Sequence, residues 1–170
     1  MTTTATVGTT VGSTVSADLL RQTLRRHAAG VAVLTVPGPA GFTATSFTSV
    51  SIEPALVSFY LATTASTAAA VGAAQIFAVH VLGEDQAAIA RRFAASGVDR
   101  FAGTRWSPGP GGVPLLDDVP AWLTARPVLR QQVGDHLLVV GEVLDAGGAG
   151  DSSPLLHHAG AFGSFRRHAA

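Results

Sequence analysis

The side chains able to do chemistry in this 170-residue sequence are few and scattered. There is no cysteine, which excludes disulfides, thiolate nucleophiles and thiolate metal sites. Of six histidines, only His157 and His158 are adjacent, and metal binding is the chemistry to test for such a pair. On a strand, consecutive side chains point to opposite faces, so the two do not easily share one ion. His27 falls on a helix face and reads as a partly buried structural residue. No metal site is expected. A serine-nucleophile elbow and a phosphate loop ending in lysine are both missing, and nothing supports hydrolysis. Gly147, Gly148 and Gly150 follow a strand pattern but run into Asp-Ser-Ser-Pro, so they make a loop and not a dinucleotide fingerprint. Hydroxyl groups remain: Thr43, Thr45 and Ser46 in one stretch, Ser66 and Thr67 in another. By residue type alone these are turn and cap residues. His136 opens a strand just after Gly134-Asp135, where its simplest role is to hold the turn through Asp135.

The elements that must position these groups follow from periodicity. Ser16 can cap a helix whose inner face is Leu19, Leu20, Thr23, Leu24, His27 and Ala28, with Gly30 as its stop. Strands are expected at 31–36, from about 41 to 51, at 56–62 and at 76–82, with Pro37-Gly38-Pro39 and Pro54 as breaks. Residues 66–74 read as a short helix started by Ser66 or Thr67, and Asp85 to Ala95 as an amphipathic helix. Residues 97–114 are loop-like. Two long strands, near 121–133 and 136–146, are joined by the tight Gly134-Asp135 turn, and a last strand lies near 154–165. Strand and helix do not alternate regularly, so a parallel doubly wound sheet is excluded. A mainly β fold follows: an antiparallel barrel with peripheral helices.

Composition sets the outer limits. The length suits one domain, here residues 16–166, after a low-complexity tail (1–15) that reads as disordered. Acidic and basic residues balance at 11 each, so no net field draws nucleic acid or an acidic membrane. The tail lacks the features of a secretory signal, and no apolar run reaches the roughly 18 residues of a membrane helix. A cytoplasmic location is expected. With 47% hydrophobic and 13% charged residues, much of the surface must be apolar, which favours a homodimer.

Several stretches taken in order resemble the flavin reductase family, whose members share an FMN-binding split-barrel (Greek-key) fold. They are LRRHAAGVAVLTV (24–36), GFTATSFTSVSIEPALVSFYL (41–61), IFAVHVLGEDQAAIARRFA (76–94), DRFAGTRW (99–106), GGVPLLD (111–117) and GDHLLVVGEV (134–143). The resemblance implies an NAD(P)H-dependent flavin reductase, with NADH or NADPH giving hydride to FMN or FAD. It also implies a homodimer that supplies reduced flavin to a separate monooxygenase. In such a reaction the protein need only bind, orient and stabilise charge. By the same resemblance, Phe42, Thr43, Thr45 and Ser46 lie along the flavin ring and ribityl chain, and Tyr60, Leu61 and Ala62 line the other side. Ser66 and Thr67 open a helix whose N–H groups and dipole receive the phosphate. His136 and Phe162 are placed at the nicotinamide.

The sequence departs from the family at three places. Ala65 and Ser66 stand where relatives carry a serine and a basic residue, Ala159 and Ala161 replace basic neighbours of Gly160, and His80 replaces an asparagine. The loss at the phosphate predicts weakly held, exchangeable flavin. Arg100 can restore a charge from its loop, or form a salt bridge with Asp99. Two other functions stay open: a flavoprotein with tightly bound flavin and its own organic substrate, and a non-catalytic flavin-binding carrier. The choice between FMN and FAD, and between NADH and NADPH, is not marked in the sequence.

Overall fold

The computed structural model describes residues 15–148 and 150–166; the tail read as disordered therefore lies, up to residue 14, outside the described residues. Helix α1 (Ala17–Leu24) starts as expected, with the Ser16 hydroxyl accepting from the Leu19 N–H at 3.2 Å. It stops at Arg25, well before Gly30, which lies instead in the short strand β1 (Ala29–Gly30). No residue of α1 is buried, and His27 is exposed beyond its end. The inner face read from periodicity is thus uncovered in this chain, and His27 is not a core residue.

The strands β2 (Ala32–Val36), β3 (Ala40–Ala44), β4 (Thr48–Ser51) and β5 (Leu56–Ala62) follow. Then come helix α2 (Ala68–Ala73), β6 (Phe77–Val81) and helix α3 (Ala87–Ala94). A ribbon of β7 (Trp106–Pro108) and β8 (Pro114–Leu116) occupies the segment expected to be loop. The long hairpin β9 (Ala121–Val133) and β10 (His136–Gly147) matches expectation, and the last strand is in fact two, β11 (Leu155–His158) and β12 (Ala161–Ser164).

The expected strand from 41 to 51 is also two, and its break shapes the molecule. β3 and β4 are opposite edges of a seven-stranded antiparallel sheet, ordered β3-β2-β6-β9-β10-β5-β4. Laid flat, such a sheet would hold its edges roughly 29 Å apart at ~4.8 Å per strand. The steps from Ala44 to Thr48 span at most ~14 Å. The sheet must roll until its edges approach. Ser46, in the crossing, pins the seam: its hydroxyl donates to the Tyr60 carbonyl at 3.1 Å and accepts from the Tyr60 N–H at 3.0 Å. The result is the antiparallel barrel with peripheral helices read from the sequence.

Two apolar cores hold it. Inside the barrel, Phe59 packs against Phe42 and Phe77 at centroid distances of 5.8 and 5.2 Å, with Leu34, Val57 and Val139 around them. Gly141 is required here, because a Cβ would come within 2.4 Å of the Phe77 ring. Gly141 is paired with Pro127, which has no N–H to give the ladder, and β9 bulges at Val128 beside it. Outside the barrel, Val31, Val33, Leu82, Phe93, Leu116 and Leu155 form the second core, under α3. β2 serves both, which is why every one of its residues is buried. His80, on β6, is fully buried beside it. Its Nδ1 donates to the Val33 carbonyl at 3.0 Å, and its Nε2 accepts from the Leu116 N–H at 3.1 Å. Together with Thr35, whose hydroxyl donates to the Pro114 carbonyl at 2.6 Å, it fastens β8 to the barrel wall. His80 is therefore a structural staple.

Candidate functional site

Beyond β5 the chain makes a tight turn into α2. Thr63 donates from both its N–H and its hydroxyl to the Asp135 carbonyl, at 3.0 and 3.1 Å, so the turn is tied to the mouth of the β9–β10 hairpin. Thr67 occupies the N-cap position of α2, yet its hydroxyl caps nothing. That hydroxyl is buried and has no hydrogen-bond partner. Burying an unmade hydroxyl costs ~1–3 kcal/mol, and such a group at a cleft wall can be satisfied by a bound ligand or an ordered water. The cap role suggested by residue type is therefore not the one seen. α2 has six residues, too few for the helix dipole to carry an anion site as expected.

The charge comes from Arg100. Its Nε donates to the Ala95 carbonyl at 2.8 Å, Nη1 to the Gly41 carbonyl at 2.8 Å and Nη2 to the Ser66 hydroxyl at 3.3 Å. The alternative salt bridge to Asp99 is not formed. Asp99 instead accepts from the N–H groups of Phe101 and Ala102, at 3.0 and 3.2 Å, which shapes the loop that presents Arg100. Gly41 was not singled out in the sequence, but a Cβ there would meet the Leu34 carbonyl at 2.8 Å and the Phe93 ring at 2.9 Å. Glycine lets β3 lie close to both.

Six of the expected residues, Phe42, Thr43, Leu61, Ser66, Thr67 and Arg100, line one cleft of about 270 Å³. Their contributions differ. The Phe42 ring packs in the barrel core, and the Thr43 hydroxyl donates to the Ala90 carbonyl at 2.7 Å, holding α3. Ser46 is occupied with the Tyr60 backbone. Tyr60 and Ala62 point outward from β5, beside Leu138 and His136 of β10. Thr45 lies elsewhere, on a cavity of about 610 Å³ shared with Leu24, Arg25, His27, His157 and Gly160. The sequence offered no signal for that grouping, since its members come from distant segments.

His136 is half exposed and its Nδ1 lies 2.7 Å from Asp135 Oδ1. That hydrogen bond, with the imidazole's charge behind it, holds the Asp135 carboxyl below the usual carboxylate range. Phe162 has different surroundings: its ring lies 5.8 Å from that of His157, under the Arg91 guanidinium at 5.4 Å, on a groove with Glu84 and Asp85. If His136 serves the nicotinamide, His136→Ala should raise the KM for the nicotinamide several-fold and leave that for flavin within about twofold. Steady-state kinetics would show it, and an unchanged nicotinamide KM would remove His136 from the site. Among the described residues there is no group of three or more potential metal ligands, and no helix long and apolar enough to cross a membrane.

The barrel thus carries a cleft lined by the Arg100 guanidinium and by Ser66 and Thr67. Residues 24–166 match the model of the flavin reductase like domain, and the chain belongs to that family. It is similar to an NADH:FMN oxidoreductase of Rhodococcus qingshengii, 45% identical over 150 residues that cover 84% of this chain and 78% of the relative. Among solved structures, it resembles a flavin reductase domain protein from Arthrobacter sp. FB24, with TM-score 0.85 and 38% identity over 89% of this chain and 96% of that one. It also resembles an NADH:FAD oxidoreductase of Streptomyces globisporus C-1027 in complex with NAD and FAD fragments. That match has TM-score 0.84 and 35% identity, covering 90% of this chain and 94% of the other.

Proposed function

We propose that this protein is an NAD(P)H:flavin oxidoreductase that passes hydride from a reduced nicotinamide to FMN or FAD. The observation that carries the reading is the buried, unpartnered hydroxyl of Thr67 on the wall of the Arg100 cleft. A flavin phosphate would supply the missing acceptor, and the Arg100 guanidinium on the same wall supports that reading. Flavin, when bound, supplies the hydride-accepting ring. The chain's own work is to hold the phosphate with Ser66, Thr67 and Arg100, and to close the barrel wall behind it with Phe42 and Leu61. With one guanidinium as the only cation on the cleft wall among the described residues, retention is weak and the flavin exchanges. That suits a carrier of reduced flavin to a separate monooxygenase. NADH is the donor named for both oxidoreductase relatives.

Thr67→Val is the direct test. It should weaken FMN and FAD binding about three- to tenfold, leave riboflavin binding unchanged, and keep or raise the melting temperature, because it removes a buried unmade hydroxyl. Unchanged FMN affinity, measured by flavin fluorescence quenching, would take the phosphate away from this cleft.

The active form in this reading is a homodimer. The outer face of the rolled sheet carries Tyr60, Leu129 and Val133, 42–48% exposed, with Leu138 and Val140 half-buried between them. Cross-strand register puts them on one side of β5, β10 and β9. An apolar patch of this kind is a protein contact, and a second copy would lay its own patch against it across a two-fold axis. Leu129→Asp with Val133→Asp should give a monomer by light scattering. A monomeric parent chain would contradict the assignment.

A further inference from the structure

We infer that the protein binds FAD more tightly than FMN, holding the adenylate half in a second cleft on the far side of Arg100; the inference rests on the flavin reading above. This cleft has a volume of about 350 Å³, within the range of small-molecule sites, and shares Ser66, Thr67 and Arg100 with the first. Its further walls are Pro39, Ala40, Gly41, Gly97, Val98, Asp99 and Phe101. Asp99 apart, these are flat or small surfaces, as an adenine and ribose require. Val98 presents an apolar side chain there that is 52% exposed. Gly97, at φ +73°, turns the loop back over the cleft.

The position of Arg100 makes the link. A guanidinium has five N–H groups, and three are used on Ala95, Gly41 and Ser66. Two remain at the junction of two clefts. FMN has one phosphate and fills one of them. In FAD a second phosphate is joined directly to the first, so the adenylate must lie next door, across the same guanidinium. The Asp99 carboxylate also lines this cleft, and its Oδ1 is taken up by the Phe101 and Ala102 N–H groups, which offsets part of its repulsion toward that phosphate. The adenylate of NADH would also suit apolar walls, but its diphosphate would compete with the flavin phosphate for Arg100.

The test compares FMN, FAD and riboflavin on the intact protein. FAD should bind at least about fivefold more tightly than FMN by fluorescence titration. Val98→Glu places a charge at an exposed position of the second cleft. It should weaken FAD about fivefold or more and move FMN by less than twofold. ADP, at saturating NADH, should inhibit FAD reduction competitively and spare riboflavin reduction. FAD no tighter than FMN, an equal effect of Val98→Glu on both flavins, or competition of ADP with NADH in place of FAD would each overturn the inference while leaving a flavin reductase. No oxidation of NADH or NADPH with any flavin would overturn the reading beneath it.

Discussion

Alanine at Arg100 should raise the dissociation constants of FMN and FAD by tenfold or more and leave riboflavin binding nearly unchanged. A charge-assisted hydrogen bond contributes ~1.5–3 kcal/mol, which corresponds to roughly 10- to 150-fold in affinity. Among the described residues no other cation lines the cleft to compensate. Arg100→Lys keeps the charge but not the fork that reaches Gly41, Ala95 and Ser66 together, so it should recover only part of the loss. Fluorescence titration with the three flavins separates the causes. Equal losses for all three would mean that the loop has collapsed, since Arg100 also ties β3 to the end of α3 through the Gly41 and Ala95 carbonyls. A loss confined to the phosphorylated flavins would identify the anion site.

The second large effect concerns stability. Burial pushes the His80 imidazole down from 6.5 to about 4, against the smaller opposing effect of its hydrogen bond to the Val33 carbonyl. The folded chain therefore keeps His80 neutral where the unfolded chain would take up a proton. Stability is complete above pH 6.5 and falls as the pH drops from 6.5 to about 4. The loss over that window is about 3 kcal/mol at ~1.4 kcal/mol per pH unit. His80→Ala should cost ~2–5 kcal/mol at neutral pH, from the cavity and the orphaned Val33 carbonyl and Leu116 N–H. In that variant the 4–6.5 window should flatten. Urea melts of both proteins at pH 7.5, 5.5 and 4.5 would show this; a parent chain of constant stability across those values would contradict it.

What could be read without coordinates was what repeats along the chain. The β9–β10 hairpin emerged nearly to the residue, because two long strand patterns meet at the Gly134-Asp135 turn, where the Gly134 φ of +60° suits glycine. β7 and β8 were missed because three residues with a proline in each carry no period. In α1 the stripe of Leu19, Leu20, Thr23 and Leu24 is present, but His27 and Ala28 fall beyond its end, and a stripe does not say what covers it. Thr67 looked like a cap because threonine often is one; only its burial and the absence of a partner separate the two roles. For Arg100 the sequence left two partners open, and the fold chose Ser66 and two carbonyls because Asp99 was already engaged by its own turn. Local chemistry was legible where neighbours in sequence decide it. The cavity shared by Thr45, His27 and His157 was not, because the barrel's closure brings it together.

The three residues between Ala44 and Thr48 have a bearing on how this protein behaves at high concentration. Its formal net charge is zero and only 13% of its residues are charged, so long-range repulsion does little to keep copies apart. An open sheet of seven strands would present two rows of unpaired backbone groups, each a template for another chain. Rolling brings those two rows toward one another. The Thr43 bond to Ala90 holds α3 against the outer side of one, and the Ser46 staple anchors the crossing between them. Colloidal protection that other proteins draw from charge is supplied in this one by the topology of a short crossing. Lengthening that link would threaten solubility before it threatened the core.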